Sequence, residues 1–278
     1  MSLTLKLLMS ILIVASAVNA EATLPTEKQL KKFLKKNVVR NPQVKLNSVT
    51  VIEQQTHKDL PGWDILLLNM ELTYQKKEIK APELIFVKDG FIVPDIAQVE
   101  TGNSYKKDIK PSVPEALYDD AHLLFGNKEA KHKLLVFSDP MCPFCQEVVP
   151  AMMKAAQKHP ETLALYYYHL PLLRIHPVSD VLTRVMHVAQ HEGKLDAVKK
   201  IYKMKIDYKE TDTTKILAAV KKDTGYVVSA EKIDAKEVRE AIKKDEETAS
   251  RMMVTGTPSI YVDGKWDKTR DGYKKLID

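Results

Sequence analysis

Between Thr26 and Asn37 apolar residues recur at Leu30, Phe33 and Leu34, a spacing that puts them on one face of a helix. Thr26 followed three residues later by Gln29 has the form of a capping box, and Asn37 suits the C-cap. The pattern then turns strand-like. Val44–Gln55 alternates in part, Trp63–Tyr74 is apolar-rich after a Pro61-Gly62 turn, and Glu83–Val87 and Phe91–Val93 flank Asp89-Gly90, a hairpin signal. One helix laid on a small antiparallel sheet is the simplest packing for this region. Thr101–Pro114 is polar, with Gly102, Asn103, Pro111 and Pro114, and reads as a linker; Pro114 is placed to start a short helix through Leu124, which Gly126-Asn127 ends. The remainder reads as a strand (Lys133–Ser138), a helix (Cys142–Lys158) and a second strand (Leu163–His169) with a half-buried Tyr166–Tyr168. A helical insertion follows from about Val178 to Ser250, then a strand (Ser259–Val262), an Asp263-Gly264 turn and a last helix near Thr269–Ile277. The order βαβ, helices, ββα packs as a mixed central sheet with helices on both faces. The expected divisions are a leader at 1–20, an α+β domain at 21–100, a linker with a short helix at 101–130, and an α/β domain at 131–278.

The leader changes where the chain is expected to work. Lys6 supplies a positive start, Leu7–Val18 carries no charge, and Val18-Asn19-Ala20 offers small residues for cleavage, the features of a secretory signal. The apolar stretch is short of the ~20 residues that span a bilayer comfortably. Residue 21 is Glu rather than Cys, which argues against a lipoprotein. The expected product is an exported protein, soluble after cleavage, in an oxidising compartment such as the periplasm. Formal net charge is +6 for the full sequence, one less without Lys6. The lysines are dispersed as pairs such as Lys31-Lys32 and Lys199-Lys200 rather than gathered with aromatics on one face, so no nucleic-acid partner is expected.

Export gives weight to the cysteines. Only two exist among 278 residues, and both fall in Met141-Cys142-Pro143-Phe144-Cys145, directly after the apolar strand. A thiol at a helix N-terminus feels the positive end of the dipole and unpaired N–H groups, which favour thiolate. A second thiol one helical turn on can resolve a mixed disulfide by closing a short ring. The alternative, half a zinc site, would need two histidines as further ligands, and His169 and His176 lie outside the usual spacing; no metal is expected. Asp139 is either a proton acceptor near the dithiol or the end of the strand, where Asp-Pro favours a turn. His169 and His176 are read as shaping the chain's entry into the insertion. Pro258 opens an apolar strand, where its missing donor is tolerated, and taken alone it is expected to follow a trans bond.

Phe137–Cys145 together with Thr255-Gly-Thr-Pro-Ser-Ile-Tyr-Val-Asp-Gly-Lys265 resembles the thioredoxin-fold thiol:disulfide oxidoreductases of the bacterial periplasm, the DsbA/DsbC/DsbG group. Asp-Pro-Met-Cys-Pro-Phe-Cys and the threonine before the family's cis-proline are most similar to DsbG/DsbC-type sequences, whereas DsbA-type oxidases usually carry valine at the latter position. The resemblance covers roughly Lys131–Asp278. It implies an α/β thioredoxin-like fold with a helical insertion, preceded by a small α+β dimerisation-type domain. It implies Cys142 as nucleophile, Cys145 as buried resolving thiol, and Pro143 and Phe144 as the dipeptide that tunes the thiolate. Thr257 and cis Pro258 would present backbone groups to an extended substrate. No cofactor is implied beyond a redox-active Cys142–Cys145 disulfide. Expected partners are unfolded or misoxidised exported proteins, a membrane redox partner that recharges the dithiol, and a second copy in a homodimer. Isomerisation or reduction is the favoured direction; a dithiol oxidase and a redox-linked chaperone are the alternatives.

Overall fold

The computed structural model describes residues 24–277, so the leader lies outside the described residues. The first helix, α1 (Glu27–Asn37), has the expected capping box: the Thr26 side chain accepts from the Gln29 N–H while the Gln29 side chain accepts from the Thr26 N–H at 2.8 Å. Lys35 and Lys36 in its last turn complement the helix dipole. Its buried Leu30 and Leu34 press on a four-stranded antiparallel sheet in the order β1 (Lys45–Gln55), β2 (Asp64–Tyr74), β3 (Lys77–Lys88), β4 (Phe91–Val93). Asp89 and Gly90, both at positive φ, close the β3–β4 hairpin.

A sheet with one helix has an uncovered face. Ile65–Leu68 of β2 is buried on both faces, since Leu66 and Leu68 meet α1 while Ile65 and Leu67 point away. The second face is closed by the segment read as a polar linker. Tyr105 and Ile109, in and just after a one-turn helix α2 (Tyr105–Asp108), pack with Leu60, Leu84 and Phe86. The sequence hid this because two apolar side chains among lysines make no period.

The second sheet has the order β5-β7-β6-β8-β9. Its strands β6 (His132–Ser138) and β7 (Leu163–His169) run parallel and are joined by α3 (Pro143–Lys158). The edge strand β5 (Leu123–Phe125) corrects the expected helix from Pro114 to Leu124. Only Glu115–Leu117 forms a 3-10 turn; Leu124 and Phe125 instead bury themselves in the core against β7. At Gly126, with φ +91°, a Cβ would fall 1.9 Å from the Leu163 carbonyl oxygen, so only glycine lets the chain pass so close. The five-stranded sheet therefore begins before residue 131.

Five helices fill the insertion: α4 (Ser179–His191), α5 (Leu195–Ile201), α6 (Thr213–Thr224), α7 (Ala230–Ile233) and α8 (Lys236–Arg251). The sheet then resumes with β8 (Ser259–Val262), antiparallel to β6, and β9 (Lys265–Trp266). The expected last helix is a 3-10 turn, Gly272–Leu276. Another correction concerns Tyr166–Tyr168, which is fully rather than half buried: β7 lies between two strands, with Tyr167 in the core under α3 and Tyr166 and Tyr168 in the core on the opposite face.

The two sheets are tied together by polar contacts from the connecting segment. The Ser112 N–H and hydroxyl donate to the Glu53 carboxylate at 2.9 and 2.8 Å, Lys110 Nζ donates to the Met253 carbonyl at 2.6 Å, and Lys268 pairs with Asp108 at 2.8 Å. Met253 itself packs into the core beside Tyr105.

Candidate active site

Strand β6 ends at Ser138, and the turn Asp139-Pro140-Met141 delivers Cys142 to the N-cap of α3, with Pro143 in the first turn. Proline costs nothing there, because that N–H has no partner inside the helix. The Cys142 N–H donates to the Asp139 carbonyl at 3.2 Å and the Gln146 N–H to the Cys142 carbonyl at 2.9 Å, which locks the turn. Both cysteines are buried and unbridged, Cys142 at 5% exposure and Cys145 at 0%.

The two sulfurs are electrostatically opposite. The Cys142 pKa falls from 9.0 to about 5, chiefly because the Cys145 thiol donates a hydrogen bond to its sulfur. Burial opposes this, and Thr257 and the Cys145 and Phe144 N–H groups add to it. Burial, then the same hydrogen bond, pushes the Cys145 thiol far up. A thiolate is the attacking species in disulfide exchange, so Cys142 is equipped to attack and Cys145 to stay protonated until needed.

Pairing of β8 with β6, with Phe137 opposite Ser259, brings the chain before β8 over the dithiol. The Thr257–Pro258 bond there is cis. In its thiol form Cys142 donates to the Thr257 carbonyl at 3.4 Å. The buried Thr257 hydroxyl has no partner among the described residues, leaving it ready to donate to the thiolate. Thus Cys142, Cys145, Thr257 and Pro258 converge. Pro143 and Phe144 lie on the outer surface of the same turn; Phe144 is 59% exposed, with the Arg270 guanidinium 5.5 Å from its ring centre. A cleft of about 370 Å³ beside them is lined by Thr255–Ser259, Trp266, Lys268 and Arg270.

Asp139 is fully buried with two polar neighbours on each carboxylate oxygen. Oδ1 accepts from the Met141 N–H at 2.8 Å and the Ser179 hydroxyl at 2.6 Å. Oδ2 accepts from the Leu172 N–H at 2.8 Å and faces His176 Nδ1 at 3.0 Å. A carboxylate so committed suits a fastener between the active-site turn and the entry to the insertion. His176 belongs to this fastener. His169 ends β7 with its N–H on Asp245 Oδ2 at 2.9 Å, and burial holds its ring well below the usual imidazole pKa. The fastened segment exposes Leu173 and Ile175, at 43% and 54%. Sequence reasoning did not find Arg270, nor the buried hydroxyls of Ser138, Tyr167 and Tyr202 near Cys145; no spacing relates them, and only the fold brings them there.

A Cys-x-x-Cys element at a helix N-terminus, set against a cis-proline in a five-stranded mixed sheet, defines a thiol–disulfide oxidoreductase domain. The chain belongs to the family described as DSBA-like thioredoxin domain, which it matches over residues 133–276. Among curated relatives it is 25% identical over 144 residues to "Na(+)/H(+) antiporter NhaA 1" of Mycobacterium sp. (strain KMS), which covers 51% of this chain and 24% of that one. It is 24% identical over 163 residues to "Probable disulfide bond formation protein D" of Bacillus anthracis, covering 55% and 75% of the two chains. The chain thus spans about a quarter of the length of the antiporter relative. A thioredoxin-like oxidoreductase from Silicibacter pomeroyi DSS-3 is similar in structure, with 22% identity, a TM-score of 0.45, and 56% of this chain and 88% of that one covered.

Proposed function

We propose that this protein is an exported thiol:disulfide interchange enzyme that acts on disulfides of other exported proteins in the periplasm. The observation that carries the reading is geometric: Cys142 caps α3 3.4 Å from the Thr257 carbonyl before cis Pro258, with buried Cys145 one turn on. The Cys142 thiolate attacks a client disulfide and forms a mixed disulfide, while an extended client segment pairs with the Thr257 backbone. Cys145 or a client thiol then releases it. The redox group is the Cys142–Cys145 pair itself, recharged by a membrane partner.

Isomerisation or reduction, the DsbG/DsbC-like direction, is favoured by Thr257 before the cis-proline and by the additional N-terminal module. That module offers a surface for a second copy: β1 is an eleven-residue edge strand with Val51 and Ile52 exposed, and Phe91 is 71% exposed. The likeness to a Bacillus protein named for disulfide bond formation favours the other direction, a dithiol oxidase.

The deciding experiment is reactivation of a scrambled, multiply disulfide-bonded substrate by the protein, with Cys142→Ser as blank. Reactivation that the blank lacks is expected. Rapid oxidation of a reduced substrate without reactivation would instead establish the oxidase.

A further inference from the structure

A buried resolving thiol poses a problem that Cys142 does not. In the reduced protein the Cys142 thiolate is the acceptor for the Cys145 thiol. Once Cys142 is tied up in a mixed disulfide its sulfur carries no charge, and that acceptor is gone. Cys145 must still become a thiolate, at a position with no solvent exposure. Burial disfavours the charge unless a donor meets it. Glu147, two residues on, is exposed, and the buried Asp139 has both oxygens engaged by four groups elsewhere.

What the fold places there is a chain of hydroxyls. Ser138 Oγ lies 2.7 Å from Tyr202 OH, which lies 2.6 Å from Tyr167 OH. All three residues are at most 2% exposed. They come from the end of β6, the residue after α5, and the middle of β7, so they meet only in the folded domain. Either oxygen of each pair can be the donor, so the chain can point both ways. Cys145 shares one buried cluster with Tyr167 and Tyr202, and the Ser138 hydroxyl and the Asp139 N–H both favour charge on its sulfur. The ionisable groups around that sulfur are Cys142 on its own helix, Asp139 before it, Tyr167 and Tyr202. Burial pushes both phenols up, so they stay protonated as donors.

We propose that Ser138, backed by Tyr202 and Tyr167, is the positioning group of the resolving step: as Cys145 loses its proton, the three hydroxyls turn to donate toward its sulfur. The proposal rests on the interchange reading above. In the step itself the Cys145 thiolate forms a bond to Cys142 Sγ, the bond from Cys142 to the client sulfur breaks, and the client leaves as a thiolate. The client thiolate takes up one proton, equal to the one Cys145 gave up, and the two electrons lost by the cysteine pair are those gained by the client disulfide. In the reverse direction Cys145 is the leaving thiolate, and the same donor receives it. Aligned hydroxyls polarise one another, so the chain outweighs a single serine.

The test is single-turnover stopped flow of the full reduced chain with a cystine-linked peptide pair carrying a fluorophore and a quencher. Release of the first peptide reports attack by Cys142, and release of the second reports resolution by Cys145. Ser138→Ala is expected to keep the attack rate within about twofold, slow resolution about tenfold, and move the pH midpoint of resolution up by about one unit, the equivalent of that factor. Ser138→Thr should restore both. Tyr202→Phe, which removes one oxygen and keeps the packing, should slow resolution about threefold in the same sense, and it carries the test if Ser138→Ala fails to fold. An unmoved pH midpoint in the alanine variant, or attack and resolution slowed equally in either variant, overturns the proposal. Absence of any peptide release from the unaltered protein overturns the interchange reading and this inference with it.

Discussion

The two sheets of this chain are both covered on two faces, yet they bury different things. Around the N-terminal sheet the interior is apolar almost throughout: Leu30 and Leu34 on one side, Tyr105 and Ile109 on the other, and Glu83 as the single buried charged or polar side chain there among the described residues. Glu83 is answered by the Leu84 N–H at 2.7 Å and by the Lys106 ammonium. Eleven buried polar side chains lie in the second domain, Ser138, Asp139, His169, His176 and Thr257 among them. Each costs desolvation and needs a partner. A domain that only has to hold a shape can avoid that cost. One that must set two neighbouring thiols to opposite chemistry cannot, because opposite pKa shifts require buried donors, acceptors and helix ends at fixed positions.

That contrast can be broken most forcefully at Asp139. Replacing it with alanine strands the donors of Met141, Leu172, Ser179 and His176, and the expected cost is at least ~3 kcal/mol in denaturant unfolding of the second domain. A loss below ~1 kcal/mol would mean the carboxylate is not the fastener described here. Leu66→Ala in the N-terminal core should cost a comparable ~2–5 kcal/mol, yet leave the active site alone. The check is alkylation of the reduced protein against pH: in this variant as in the parent, the Cys142 rate should rise as pH climbs through about 5 and then level. A displaced midpoint would show that the first module sets the thiolate. The sign for stability follows from the same shift. The folded pKa of Cys142 lies below its free value of 9.0, so its thiolate stabilises the reduced fold fully above that value, and the contribution fades as pH falls through about 5. Cys145 has the opposite sign, and its burial costs stability only as pH rises past 9.0. The smallest effect is expected at the first helix, where Thr26→Ala removes a cap and should cost about 1 kcal/mol, read as faster amide exchange in α1 alone.

Local order was legible where one residue type or one period carries the information. The capping box of α1, the Asp89-Gly90 hairpin, strands β6 and β7 and helix α3 follow from patterns a few residues long, and two cysteines placed after an apolar strand announce their chemistry. Segments whose burial comes from distant partners were not legible. Tyr105 and Ile109 read as linker because the sheet face they seal lies elsewhere in the chain, and Leu123–Phe125 read as helix because a three-residue edge strand has no period of its own. Tyr166–Tyr168 read as half-buried for want of knowing that β7 is central.

The dithiol's place at a helix start is a property of the sequence, since strand, Asp-Pro turn and helix are local preferences written within ten residues. What the thiols can do was decided by tertiary structure. The Thr257 carbonyl reaches Cys142 from 115 positions away along the chain, and Tyr202 reaches Ser138 from 64. Hydrogen bonds act over about 3 Å, so no reading along the chain locates them; only the pairing of β8 with β6 and the folding of the insertion over the sheet bring those oxygens to the sulfurs.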